Sequence, residues 1–483
     1  MVLSDMFFSS IDLSSTFAEW LVAFLHVLLA SIVTVDVLLK KSDVRGALGW
    51  IGAAWMSPIL GSLFYYLFGI NRVTRRSLRL PRLEGQKIPA PVPEEHLDTG
   101  PNILMLSKIG ETVTAHPLVA NNALTILQGG DAAYPAMLAA IKGAKHCIAL
   151  TSYIFRNDAA GQAFCDSLAE ARKRGVEVRV LLDSVGIGYV FPLILHRLKA
   201  AGVTAARFLH TWLPWRMPFL NMRNHRKLLV VDGATAFMGG MNIGVENSRR
   251  LAPKNYIDDI HFKIGGPVVR LVMDAFARDW MFTTGESLDG DCWWPTIAPA
   301  GTVFARGLRS GPDTDIYKLE MILGAALTLA RKRVRIVTPY FLPDQRLQFA
   351  IAQACLRGVE VEIVIPEHCD YVFLDWAMRA HLRFFRGISA HLYTTPMPFD
   401  HSKLVTVDGE WCLVGSSNWD TRSFRLNFEF DMECYEAAFT EKLDSIIDTK
   451  ISRAKELDLE ELSASPIPIR LRDAAARLLT PYL

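Results

Sequence analysis

His225-Arg-Lys227-Leu-Leu-Val-Val-Asp232-Gly233 returns 176 residues later as His401-Ser-Lys403-Leu-Val-Thr-Val-Asp408-Gly409. Gly239 and Asn242 follow the first copy at the offsets at which Gly415 and Asn418 follow the second. An imidazole beside an ammonium suits a phosphodiester, because the ring can attack phosphorus or pass a proton while the cation stabilises charge on the phosphoryl oxygens. Asn242 and Asn418 are candidate neutral donors to the same group, hence substrate-binding residues. The chain carries one phosphate-handling half-site twice, so its two halves can build a two-histidine site between them.

The local pattern predicts how these groups are held. His and Lys alternate over a short β-branched run that ends in Asp-Gly, which reads as a strand entering a type I′ hairpin turn. Period two places His225, Lys227 and Leu229 on one face, and His401, Lys403 and Val405 likewise. Asp232 and Asp408 complete the two candidate catalytic motifs. Their expected part is to support the turn or a local ion pair rather than to touch substrate.

A single motif of this kind is often only an edge strand with a solvated face; its duplication with the same downstream Gly and Asn is what gives it weight. The paired H-x-K-x4-D pattern resembles the phospholipase D superfamily. That resemblance implies a covalent phosphohistidine without metal or other cofactor. One histidine, His225 in the usual order, attacks phosphorus; the other, His401, protonates the leaving alcohol and then deprotonates the incoming one. Each imidazole then needs its second nitrogen held by an acceptor. By alignment with the family, Asp259 in Tyr256-Ile-Asp-Asp259 and Glu429 in Leu426-Asn-Phe-Glu429 take that position.

Around the motifs the pattern predicts strand, helix, strand twice over. Cys147-Ile-Ala-Leu-Thr-Ser-Tyr-Ile-Phe155, a helix near 158–173 and Gly175-Val-Glu-Val-Arg-Val-Leu-Leu182 form the first set. Val334-Arg-Ile-Val-Thr-Pro-Tyr-Phe341, a helix near 344–356 and Gly358-Val-Glu-Val-Glu-Ile-Val-Ile365 form the second. The expected fold class is α/β: two tandem phospholipase D-like domains forming a pseudo-dimer, with mixed, mainly parallel sheets and helices on both faces. The expected division is a membrane anchor over 1–80, a linker over 81–115, domain one over 116–290 and domain two over 291–483. The apolar, Pro-interrupted segment 211–220 reads as a loop folded on the core or dipping into lipid, Tyr371 and Phe373 as buried on helical spacing, and 468–483 as an amphipathic helix that packs on the core.

Hydrophobic residues make up 51% of the 483, and two stretches, 17–39 and 47–70, are long and apolar enough to cross about 30 Å of hydrocarbon as helices. Basic residues do not precede the first run, so it reads as retained rather than as a signal peptide. Arg72, Arg75, Arg76, Arg79 and Arg82 after the second run are either a headgroup contact or a topology signal, and they favour a cytoplasmic catalytic region behind two membrane passes. Seven cysteines without a C-x-x-C pair suit a reducing compartment and give no zinc framework. A formal charge of +2 argues against nucleic acid as the partner.

Over nearly its whole length the chain resembles, more narrowly, the bacterial cardiolipin synthases of the phospholipase D type. The stretches that carry this are Pro58 to Arg72, Ser310-Gly-Pro-Asp313, Thr338-Pro-Tyr-Phe-Leu-Pro-Asp344 and Asn418-Trp-Asp-Thr-Arg-Ser423. Gly240 departs from a common Ser, Asn247 and Ser248 lie where an aromatic is frequent, and Ile257-Asp258 replaces a usual Trp-Arg. The resemblance implies transfer of a phosphatidyl group between two phosphatidylglycerol molecules, giving cardiolipin and glycerol. Another phosphatidyltransferase, or a phospholipase D using water or a different alcohol, is the alternative.

Overall fold

A computed structural model describes residues 13–41, 44–69, 99–188, 190–191, 193–211, 222–312 and 314–478. The arginines at 72–82, most of the expected linker and nearly all of the aromatic 211–220 segment lie outside the described residues. The chain divides into an N-terminal unit holding the described residues up to Gly69 and a larger unit holding 99–210 and 222–478.

In the N-terminal unit, α1 (Leu13–Lys40) is one continuous helix, and its Phe17–Lys40 part is long and apolar enough to cross a membrane. The second apolar stretch corrects the expectation of a matching span. It forms α2 (Val44–Met56), α3 (Pro58–Phe64) and a π-turn over Tyr65–Gly69. Pro58 supplies no N–H and forces Ser57 out of the helical region, so the helix stops and restarts. At about 1.5 Å per residue neither piece alone spans the hydrocarbon. Two polar interruptions of α1, Asp36 and His26, find partners within the unit: Lys40 and the Tyr65 hydroxyl both donate to Asp36, the latter at 2.7 Å, and the His26 ring lies 3.1 Å from the Trp55 carbonyl.

The larger unit opens with α4 (Pro101–Thr114), inside the stretch expected to be linker. The first half then runs β1 (Val119–Gln128), α5 (Gly129–Gly143), β2 (Cys147–Ser152), α6 (Ala159–Lys173), β3 (Glu177–Asp183), α7 (Leu193–Ala200), β4 (Thr204–Phe208), β5 (Arg223–Asn224), β6 (Leu228–Val231), β7 (Thr235–Gly239), β8 (Ile257–Asp258), β9 (Ile260–Gly265) and α8 (Val269–Thr284). The second half repeats the plan: β10 (Val303–Ser310), α9 (Lys318–Leu329), β11 (Arg333–Val337), β12 (Phe341–Leu342), α10 (Gln345–Leu356), β13 (Glu360–Pro366), α11 (Val372–Leu382), β14 (Ala390–Thr395), β15 (Phe399–Asp400), β16 (Leu404–Val407) and β17 (Trp411–Gly415). It ends with β18 (Trp419–Asp420), α12 (Thr421–Arg425), β19 (Asn427–Tyr435), α13 (Ala437–Ser452), β20 (Lys455–Glu456), α14 (Leu459–Ser463) and α15 (Ile467–Leu478).

Both halves share one continuous sheet. From the antiparallel junction of β1 with β10, one side runs β9, β7, β6, β2, β3, β4 and the other β19, β17, β16, β11, β13, β14, β20. Apart from the two-residue β5 beside β19, parallel pairing in this sheet is confined to β2–β3–β4 and β11–β13–β14, where helices make the crossovers. The expectation of mainly parallel sheets is therefore corrected. Each H-x-K strand turns tightly at Asp-Gly, and so short a turn can return only antiparallel, so the motif strand, its hairpin partner and the carboxylate strand form a meander.

Each half has its own apolar core. Helix α4 joins the second half's: Ile103 and Leu106 are buried among α9 and β11 residues. The same helix caps a fully buried ion pair at the centre of the sheet, where Arg306 of β10 donates to Glu433 of β19 at 2.7 Å, to the Tyr435 hydroxyl at 3.1 Å and to the Ser107 carbonyl at 3.1 Å. At the other end of the chain, α15 packs on α11 through Asp473, which accepts from Arg383 at 2.6 Å, and through Ala476. Its apolar Leu471 and Leu478 face outward instead of into the core.

Glu433→Ala leaves the Arg306 guanidinium buried without its counter-charge. The expected loss is about 3–5 kcal/mol of stability, read as a lower denaturant midpoint of the detergent-solubilised protein; an unchanged midpoint contradicts the structural weight given to this pair.

Candidate active site

The hairpin turns set the motifs in place. Asp232 and Gly233 both have positive φ, 50° and 59°, and so do Asp408 and Gly409, 55° and 75°, which is the type I′ signature. The Asp232 carboxylate accepts the backbone N–H groups of Lys145, His146 and Cys147 at 2.9, 2.7 and 3.0 Å. Asp408 does the same for Arg331, Lys332 and Arg333 at 2.8, 2.7 and 2.9 Å. Members of the two motifs, both aspartates support the turn as expected, anchoring it to the start of the neighbouring strand, with the hairpin strand lying between them and the imidazoles.

At the other end of each hairpin the halves interlock. Strand β5, just before His225, pairs parallel with Asn427-Phe428 at the start of β19, and the His225 N–H donates to the Phe428 carbonyl at 2.9 Å. Strand β15, just before His401, pairs with Ile257-Asp258 of β8, and the His401 N–H donates to the Asp258 carbonyl at 2.7 Å. Each histidine is thus laid against the carboxylate of the opposite half. His225 Nδ1 lies 2.9 Å from Glu429 Oε2, and His401 Nδ1 lies 2.7 Å from Asp259 Oδ2. An ionised carboxylate at Nδ1 keeps the proton there and leaves Nε2 with its lone pair.

The residue before each histidine is held from its own half. Asn224 donates to Asp279 of α8 at 2.9 Å, and Arg226 donates to the same carboxylate at 2.6 Å. In the second half Lys450 of α13 donates to Asp400 at 2.7 Å. Lys227 Nζ donates to the His225 carbonyl at 2.6 Å, and Lys403 Nζ donates to the His401 carbonyl while lying 2.9 Å from the His401 ring. Each lysine nitrogen therefore sits beside its own imidazole.

Burial and like charge shape the electrostatics. Burial drives the His225 pKa down to about 4, against the pull of Glu429 and with the help of Lys227. Burial and Lys403 lower His401 as well. Lys227 falls to about 7, again by burial first, and Lys403 is lowered for the same reason. Burial acts to raise Glu429 and Asp259, yet the facing imidazole and lysine keep both carboxyls below the ordinary range: His225 and Lys227 for Glu429, Lys403 and His401 for Asp259. With both lysines charged and both imidazoles neutral, the two dyads carry no net charge; a phosphodiester brings one negative charge that favours protonation of a ring or an amine.

Both histidines line one cavity of about 430 Å³. Asn242 and Asn418 line it too. The Asn242 side chain accepts the Ile154 N–H at 3.1 Å, and Asn418 Oδ1 is buried without a protein partner. Several lining residues had no place in the sequence reading of the site. Tyr153 lies edge-on to His225 at 5.0 Å and Tyr340 edge-on to His401 at 6.3 Å. Arg223 and Arg422 also face the cavity. Both tyrosines sit at the ends of the two strands the sequence did predict, so the repeat itself held the signal.

The two dyads are not equally braced. Glu429 accepts from Ser416 Oγ at 2.6 Å, Ser423 Oγ at 2.9 Å and Asn427 Nδ2 at 3.1 Å. Asp259 accepts from the Ile260 N–H at 2.7 Å. Gly240 stands where Ser416 does, and a Cβ on it would come within 2.4 Å of Asp259 Oδ1. The glycine that departs from the common serine is the residue that makes room for this carboxylate.

Residues 137–280 and 323–451 match the family model described as "Cardiolipin synthase, PLD-like domain". The chain belongs to the phospholipase D-like cardiolipin synthase family. It is 30% identical over 453 residues to the cardiolipin synthase of Geobacillus kaustophilus, covering 92% of this chain and 90% of that protein. It is 31% identical over 495 residues to cardiolipin synthase A of Pseudomonas putida, covering 97% and 99%. Among solved structures, the phosphatidylserine synthase of Haemophilus influenzae superposes with a TM-score of 0.63 at 17% identity, covering 78% of this chain and all of that one. That likeness shows the fold shared by the family, two phospholipase D-like domains in one α/β unit.

Asp259→Asn and Glu429→Gln keep shape but lose the charge that fixes the tautomer, and each acts on the histidine of the other half. Turnover should drop by about 10²–10⁴ with near-normal circular dichroism and membrane association; wild-type rates in both variants would reject the dyads.

Proton uptake gives a second check. At pH 8 a Lys227 with a pKa of about 7 is mostly neutral, and a bound anion restores its charge. Calorimetry with glycerophosphoglycerol in buffers of different ionisation enthalpy should show net proton uptake on binding. Binding without proton uptake contradicts the lowered pKa.

Proposed function

We propose that the protein is a cardiolipin synthase that moves a phosphatidyl group from one phosphatidylglycerol to the terminal hydroxyl of another, releasing glycerol. The observation that carries this reading is the convergence of both motif histidines, each held by a carboxylate of the other half, on one cavity in a chain with near-full-length relatives of that name.

The chemistry follows from the geometry. His225 Nε2 attacks phosphorus, and the bond to the glycerol oxygen breaks as His401, charged once the anion is bound, gives that oxygen its proton. His401, now neutral, takes the proton of the incoming lipid hydroxyl; the new P–O bond forms and the P–N bond breaks, restoring His225. Lys227 and Lys403, with Asn242 and Asn418, stabilise the charge on the phosphoryl oxygens. The bond made is of the same kind as the bond broken, so the exchange needs neither nucleotide nor metal to drive it.

Helix α1 supports membrane anchoring. We place the protein in the bacterial plasma membrane with its catalytic unit cytoplasmic, and with the α2–α3 segment completing a second pass as a broken helix whose freed backbone groups are covered by α1. Contact between the elements supports that pairing: Ala30, Val33 and Val37 of α1 are buried with Ala54 and Tyr65.

Purified full-length protein in phosphatidylglycerol vesicles should make cardiolipin and glycerol in equal amounts without added metal or nucleotide, and excess glycerol should reverse the reaction. Phosphatidic acid as the main product, or dependence on a nucleotide-activated lipid, would replace this reading with a phospholipase or another phosphatidyltransferase.

A further inference from the structure

Helix α11 is buried over most of its length, through Leu374, Ala377, Met378 and Leu382, but its start is not. Tyr371, Val372 and Phe373 are 55%, 60% and 38% exposed, which for Tyr371 and Phe373 corrects the expectation that helical spacing would bury them. Tyr371 is the N-cap with extended backbone, so it and the first turn stand clear of the face that packs inward. The rings of Tyr371 and Phe373 lie 5.6 Å apart, and both residues line the catalytic cavity. The segment is firmly held. Asp370 accepts the Tyr340 hydroxyl at 2.7 Å, Tyr340 is the ring edge-on to His401, and Asp375 accepts the Cys369 N–H at 2.9 Å. Met397, 66% exposed, precedes the cavity-lining Phe399 by two residues.

Volume decides what covers this surface. At about 430 Å³ the cavity is near the small end of sites that enclose one drug-sized molecule, ~300–1,000 Å³. It has room for phosphate and glycerol but not for the tails of one diacyl lipid, still less two. The tails must stay in an apolar medium outside the cavity, and there Tyr371 and Phe373, exposed and lining it, stand beside their chain neighbour Val372, with Met397 two residues from the lining Phe399. We propose that Tyr371, Val372, Phe373 and Met397 form the surface by which the catalytic unit sits on the phospholipid bilayer, so that headgroups reach the histidines while acyl chains remain in lipid. The inference rests on the synthase reading for its substrate class. Tyrosine at the polar boundary with Val, Phe and Met beyond it is the composition of an interfacial contact.

Val372 and Met397 do not line the cavity, so their charge can be changed without entering it. Full-length Val372→Asp and Met397→Asp, reconstituted in phosphatidylglycerol vesicles, are compared with the unsubstituted protein on long-chain phosphatidylglycerol and on dihexanoyl-phosphatidylglycerol supplied as monomers. Glycerol release is the readout because synthase and hydrolase both produce it; a phosphatidic acid product would overturn the synthase reading and leave this test standing. The ratio of long-chain to short-chain rate should fall tenfold or more in each variant, less in Val372→Ser, and not at all in Leu471→Asp, an exposed residue of α15 on a different groove. A ratio within threefold of the unsubstituted protein in both Asp variants overturns the proposal, as does an equal fall in Leu471→Asp. Should either Asp variant lose both rates by misfolding, Val372→Ser carries the same criterion with a threefold fall as its threshold.

Discussion

Everything in the catalytic unit turns on two short parallel pairings. Arg223-Asn224 lies along the start of β19, and Phe399-Asp400 lies along β8. These pairings bring each imidazole to a carboxylate that its own half does not supply. Neither half alone contains a complete dyad, so the duplicated sequence works only as an assembled pair. The continuous sheet through β1 and β10 joins the two halves, and within the second half the buried Arg306–Glu433 pair ties β10 to β19, the strand that carries Glu429.

The crossing also sets the chemistry. Four charged groups that balance one another and two neutral rings make a buried site that is tolerable when empty and gains charge complementarity when a phosphodiester enters. The pseudo-twofold arrangement is broken where it matters for proton transfer. Glu429, facing His225, is bound by three side-chain donors, which steady its negative charge and weaken its pull on a proton. Asp259 lacks the serine donor because Gly240 replaces it, so it supports a charged His401 more strongly. This difference favours His225 as the ring that stays neutral to attack and His401 as the ring that carries the proton.

Much of this was legible in the chain. Period-two alternation and Asp-Gly marked the motif strands and their turns, and a constant offset tied the downstream Gly and Asn residues to both copies. The meander was not, because counting strands and helices does not say which neighbour a hairpin strand chooses, and that choice made the sheet more antiparallel than expected. The exchange of carboxylates between halves was hidden for a similar reason: β5 and β8 are two residues long, below what any periodicity can register. Hydropathy found the second apolar stretch but not its break, although Pro58 carried the warning. Helix α4 reads as linker in the sequence because its buried face meets residues about two hundred positions away.

The central claim is that phosphatidyl transfer proceeds through a covalent bond to a histidine of this crossed site. Rapid alkaline quenching of the protein during turnover with isotopically labelled phosphatidylglycerol, followed by peptide mass spectrometry, tests it most directly. The account predicts a labelled phosphatidyl adduct on the peptide that contains His225, absent from the Glu429→Gln protein. Cardiolipin formed at full rate with no adduct on either His225 or His401 would contradict it.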